Sequence, residues 1–113
     1  MEKITKIETF KQIKEIIEPI PEDQFCVGAY DNFRGQCCFL GHIQKYISGD
    51  ACVNLGGFGA RELTRTFLLE VHNRNTDGAE VNNGPYINGY TEPIIKDRLM
   101  HMIEDGIKWE ESK

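Results

Sequence analysis

Apolar residues spaced three and four apart restrict this chain's fold more than any other feature. Phe10, Ile13, Ile17 and Ile20 recur in that rhythm, with Ile16 at the edge and Lys11, Lys14, Glu15 and Glu18 opposite. Such spacing buries one side of a helix and leaves the other in water. It predicts a helix over 8–18, opened by a capping box of Thr5 with Glu8 and ended by Pro19 and Pro21. A second helix is expected over 36–47, with Phe39, Leu40, Ile43, Tyr46 and Ile47 on one face and Gly49 as a left-handed cap. A third is expected over 60–72, with a stripe of Ala60, Leu63, Phe67 and Val71. Leu69 falls opposite that stripe and suggests a second contact, within the fold or with a partner. Thr91 is expected to cap a final helix with Pro93 in its first turn. There Ile95, Leu99, Met102, Ile103 and Trp109 oppose Asp97, His101, Glu104, Asp105 and Lys108.

The connections read differently. Residues 25–30 are a short apolar run, either a buried connector or a brief strand. Asp31-Asn32 and Arg34-Gly35 read as turn, 55–59 as a flexible glycine loop, and 73–78 as a turn-rich break. Residues 81–90 read as an ordered Asn- and Gly-rich loop. The fold class that follows is mainly α: one domain over 1–113, a compact bundle of about four helices with long Gly/Asn-rich loops. Short strands near Val27, Val53 or Val81 would make it α+β.

Composition narrows function. Forty per cent of the 113 residues are hydrophobic and 27% charged, which is ordinary globular usage. A net charge of −5 argues against non-specific nucleic-acid binding. No apolar run approaches the ~18 residues of a membrane span. The first stretch alternates charge with isolated Ile and Phe, unlike a secretory signal. The four cysteines, Cys26, Cys37, Cys38 and Cys52, are therefore read as reduced thiols in a cytoplasm. With His42, His72 and His101 they supply enough donors for zinc. However, no Cys-x-x-Cys or His-x-x-x-His pair exists, so no metal and no cofactor is expected.

Gly35-Gln36-Cys37-Cys38-Phe39-Leu40-Gly41-His42, then Val81-Asn82-Asn83-Gly84, then Tyr90-Thr91-Glu92-Pro93-Ile94-Ile95 and its helix form a familiar series. With the N-terminal helix it resembles a family of small uncharacterised bacterial and phage proteins. In that family a Cys-x-x-Gly-Ala stretch begins a middle helix, and a Trp-Asn-Asp loop leads into a Thr-capped C-terminal helix. Here His42 stands where a small residue is usual, Val81 where an aromatic is, and Asn83 where an acid is. The resemblance implies a fold and a microbial or phage origin, and no chemistry.

Three functions are weighed. The leading one is an interaction protein, without catalysis, that binds another protein or itself through a helix face and its Asn/Gly-rich loop. The second is a thiol-dependent hydrolase or transferase. Cys38 and His42, four apart near a helix N-terminus, would be nucleophile and base, with His72 as the other base and Asn82 or Asn83 orienting the imidazole. Against it, Cys38 serves as a small core residue, Gly41 lets another helix approach, and His72 is a cation at a helix end. The third is a nucleotide or anion binder using Gly57, Gly59 and Arg61 with Asn82 and Asn83. Its plainer counterpart is a loop that needs positive φ.

Overall fold

The computed structural model describes residues 3–53, 56–84, 87 and 89–113. Among the described residues five α-helices follow one another: α1 Phe10–Ile17, α2 Phe39–Ser48, α3 Ala60–His72, α4 Gly78–Asn83 and α5 Ile95–Glu111. Short 3-10 turns lie at Glu22–Gln24 and Gly56–Gly59. Among the described residues there is no strand, only isolated bridges between Phe25 and Cys37 and between Ile87 and Tyr90. The bundle is therefore mainly α.

α1 begins later than expected because its capping box is one step along. The Thr9 side chain accepts from the Gln12 N–H at 3.2 Å, and the Gln12 side chain accepts from the Thr9 N–H at 3.1 Å. Thr5 and Glu8 lie outside the helix. The first amide of α1 is held from far away in sequence. Both carboxylate oxygens of Glu110, near the end of α5, accept from the Phe10 N–H at 2.9 Å. An anion there also suits the positive end of the helix dipole. Phe10, Ile13, Ile16 and Ile17 are buried, as their spacing predicts.

α2 starts at Phe39, not at residue 36, with Cys38 as an extended N-cap at φ −80°, ψ 178°. Gln36 and Cys37 belong instead to the connector beside Phe25. Gly49 ends α2 in the left-handed region, at φ 82°, as expected. α3 has the predicted limits, but its buried face is rotated. Ala60, Thr64, Phe67 and Leu68 are buried, while Leu63 is half-buried and Val71 exposed. The Thr64 hydroxyl explains the rotation. It donates to the Ala60 carbonyl at 2.8 Å and accepts from the Gly78 N–H at 2.9 Å, so a polar residue sits satisfied in the core.

α4 occupies the first part of the expected 81–90 loop. Asp77 caps it by accepting from the Ala79 N–H at 3.0 Å. The later positions 85, 86 and 88 of that loop lie outside the described residues, as does Leu55 of the glycine loop. α5 starts at Ile95 after Ile94, with no side-chain cap, so Thr91 and Pro93 precede the helix. Leu99, Met102 and Ile103 are fully buried, and so nearly is Arg98, at 4% exposure. Phe10 and Phe67 in the core and the half-buried Trp109 against it meet edge to face, with centroids 5.2 to 6.2 Å apart.

Candidate functional site

Cys38 and His42 are joined through their backbones but not through their side chains. The His42 N–H donates to the Cys38 carbonyl at 2.9 Å, an ordinary helical bond. The thiol lines a cleft of about 360 Å³ between Tyr30 and α4, shared with Arg61 and Asn83. The imidazole lines a different cleft, with its Nε2 2.7 Å from the Gln24 carbonyl and its ring edge-on to Phe25. Burial pushes His42 down from its ordinary pKa, against the pull of that carbonyl. Burial likewise pushes the Cys38 thiol up, and the Gly41 and Leu40 amides and Arg61 offset only part of this. The expected thiol–imidazole pair is thus not assembled. The i, i+4 rule holds only when both residues are helical, and Cys38 is extended. His72 is no substitute, because it bonds Tyr90.

The half-buried Cys26 and the buried Cys37 behave alike. Burial raises the pKa of Cys26 and Cys37, with Asp31 adding to it, whereas Cys52 is exposed. At pH 7 iodoacetamide is expected to reach the exposed Cys52 first of the four. Cys26, Cys37 and Cys38 should each react more slowly than Cys52, because burial disfavours the thiolate, which is the reactive form. Peptide mapping by mass spectrometry over time reads the four rates. A fast Cys38 in the folded protein would restore the nucleophile reading.

The expected anion cradle is filled by the protein itself. Gly57 is buried and left-handed at φ 66°, and its N–H donates to Gln44 Oε1 at 3.0 Å. Gly59, at φ 111°, presses against the Ile7 carbonyl, and a Cβ there would lie 2.6 Å from that oxygen. The loop therefore supplies the positive φ of the plainer account. Arg61 does face the Cys38 cleft with Asn83, but its Nε lies 3.4 Å from the Asp77 carboxylate and its Nη2 3.4 Å from the Tyr30 hydroxyl. Asn82 is fully buried. Its Oδ1 accepts from the Phe39 N–H at 3.0 Å and its Nδ2 donates to the Cys26 carbonyl at 2.9 Å. It therefore caps α2 from α4, a task the Cys38 thiol does not perform. Asn83 Oδ1 accepts from the Gly28 N–H at 3.2 Å and braces the same connector.

Two features escaped the sequence reading. One is a polar chain along α5. Tyr90, fully buried, donates its hydroxyl proton to Asp105 Oδ2 at 3.0 Å, so its oxygen accepts from His72 Nε2 at 2.9 Å. Burial lifts the phenol's pKa, and Asp105 adds to the shift. Asp105 also lies 3.5 Å from His101 Nε2, and the other ring nitrogen of His101 bonds Glu92. Burial alone would raise the Glu92 carboxyl, but its own backbone N–H and His101 outweigh that and hold it low. The i, i+4 spacing of His101 and Asp105 was visible. Their link to Tyr90 and His72 depends on how the helices pack.

The other feature is the loop from Asp31 to Gly35. Phe33 is 84% exposed, more than any other large hydrophobic residue described, and sits at φ 59°. Left-handed backbone costs a residue with a Cβ about 1 kcal/mol. Side chains hold it there. Asp31 Oδ1 accepts from the Phe33 N–H at 2.7 Å, and Asn32 Oδ1 from the Arg34 N–H at 2.9 Å. Asn32 Nδ2 donates to Gln36 Oε1 at 2.7 Å, and Gln36 Nε2 to the Asp23 carbonyl at 2.9 Å. A braced turn thus carries a phenyl ring into solvent.

No protein-family model, no curated protein and no solved structure matches this chain. No described helix is long and apolar enough to cross a membrane.

Proposed function

We propose that this chain is a small protein-interaction module whose docking element is the Phe33 loop. The observation that carries this reading is Phe33 itself, almost fully exposed on strained yet braced backbone. Burying that ring against a partner would contribute about 2 kcal/mol. Its preset conformation lowers the ordering cost of doing so. Aromatic anchors of this kind dominate measured interfaces. Leu69 and Val71 are also exposed, but two positions apart on α3 they point in different directions and read as scattered surface residues. The net charge of −5 favours a protein partner over nucleic acid. Unpaired thiols suit a reducing compartment such as a bacterial cytoplasm, in keeping with the resemblance to bacterial and phage proteins.

Phe33→Gly tests the reading. Glycine accepts φ 59° without strain but is freer when unfolded, so the two effects nearly cancel. Folding stability in urea is expected to stay within about 0.5 kcal/mol of the parent. Docking should be lost. A photo-crosslinking phenylalanine analogue at position 33 should give protein adducts in the expressing cell, and one at exposed Thr66 should not. A Phe33→Gly chain that unfolds easily, or equal adduct yields at 33 and 66, would make Phe33 a structural residue and end the proposal.

A further inference from the structure

We infer that the surface receiving Phe33 is the Ile16–Ile20 cleft of a second copy of this chain, in a two-fold symmetric dimer; this rests on the interaction-module reading above. The His42 cleft measures about 370 Å³, and Ile16, Pro19, Ile20 and Pro21 give it an apolar floor. Tyr46, 53% exposed, stands at its edge. Gly35, two residues from Phe33, belongs to its wall. The chain between them spans at most about 7 Å. An apolar knob and an apolar hole therefore lie within a few residues of each other on the surface. A two-fold axis between them seats each knob in the opposite hole and closes the assembly, as an isologous contact requires.

Charge points the same way. Arg34 adjoins the knob and Glu15 lines the hole, with Glu22 and Asp23 just past Pro21. Among the described residues none of these four has an ion-pair partner within the chain. Two-fold docking would set each Arg34 at the rim of the other copy, where Glu15, Glu22 and Asp23 together outnumber Lys45, the one cation lining the hole among the described residues. The same charges meet an unrelated partner only by coincidence, whereas self-docking supplies both halves of the match.

Sedimentation velocity across micromolar to millimolar concentration tests the inference. The parent chain should dimerise, and Phe33→Gly should weaken dimerisation at least about 30-fold, the size of an interface hot spot. Arg34→Glu and Glu15→Arg should each weaken it, because each variant places like charges opposite one another in its own dimer. Mixed one to one, these variants should form a heterodimer as tight as the parent to within about threefold, since both cross-pairs are then opposite in charge. A mixture no tighter than the separate variants overturns self-docking, as does a parent that stays monomeric at millimolar concentration. The position-33 crosslinker separates the two readings. Adducts with a different protein overturn self-docking and leave the interaction module standing, and no adduct of either kind overturns both.

Discussion

Gly41→Ala is expected to destabilise the protein by about 3 kcal/mol, the reverse of what the same change does in most helices. In an exposed helix interior, alanine is favoured over glycine by about 1 kcal/mol. Here a Cβ on residue 41 would collide with the Tyr30 carbonyl oxygen, with that residue's carbonyl carbon 2.8 Å and its Cα 2.9 Å away. All three are backbone atoms, so no rotamer change relieves the overlap. Either α2 moves or the 28–30 segment withdraws. Withdrawal strains two bonds that fix the segment, from Cys38 N–H to the Ala29 carbonyl at 3.2 Å and from Gly28 N–H to Asn83 at 3.2 Å. Moving α2 disturbs Phe39, Leu40 and Ile43, all buried in the core. Urea unfolding reads the outcome, and at this chain length the melting temperature should fall by about 15 °C. Gly49→Ala supplies the contrast. It has open space around it and only the strain of φ 82° to bear, so about 1 kcal/mol is expected. A Gly41→Ala variant as stable as the parent would mean that α2 and the Tyr30 segment are not packed as described.

Gly41 illustrates what a single sequence reveals and what it withholds. A close approach at Gly41 was legible, but it was expected from another helix, and the neighbour is the non-helical Tyr30 backbone. Helix limits were readable where apolar rhythm and a terminator coincide, as for α3 and for the Gly49 end of α2. They drifted where several residues compete to cap. Thr5 and Thr9 each precede a Glu or Gln by three positions, both pairs suit the same buried stripe, and only the folded chain shows that the second pair forms the cap. α4 was hidden because a six-residue helix gives too little apolar rhythm to detect, though Asp77 followed by Glu80 is a cap signal. Thr64 and Arg98 were hidden for one reason. Polar residues are assigned to the surface by default, and their burial depends on partners distant in sequence. The site suffered most from this. Cys38 and His42 are near in sequence yet face separate clefts, while Tyr90 brings His72 and Asp105 together from different helices. Phe33 lies between two dipeptides that read as turn, and only the assembled fold shows how little covers it.

Arg98→Met should cost more than any other exchange considered, about 4 kcal/mol, because it strands polar groups that nothing else reaches. The guanidinium is buried, and among the described residues no acid is in hydrogen-bond contact with it. Its Nε donates to the Val81 carbonyl at 2.8 Å and its Nη2 to the Asn82 carbonyl at 2.7 Å. Its Nη1 donates to the Glu92 carbonyl at 2.6 Å and to that of Pro93 at 3.3 Å. The first two oxygens belong to the end of α4, where helix carbonyls have no partner of their own and the dipole favours a cation. The other two belong to the segment entering α5. One side chain therefore terminates a short helix and fixes the start of a long one. A helix of six residues is far below the length that is stable alone. Without this anchor α4 should loosen, and Asn82 with it, exposing the first amide of α2. Methionine keeps the apolar stem of arginine and removes every donor, so the loss reports hydrogen bonding and charge together rather than packing. Arg98→Lys keeps the charge but not the fork, and should recover about half of the loss, since an ammonium cannot span both pairs of carbonyls. Hydrogen exchange gives the more specific signature. In Arg98→Lys the amides of α4 and the Phe39 amide should lose protection well before those of α1 and the centre of α5. Uniform loss across all five helices would show instead that Arg98 supports the whole core and does not anchor α4 in particular.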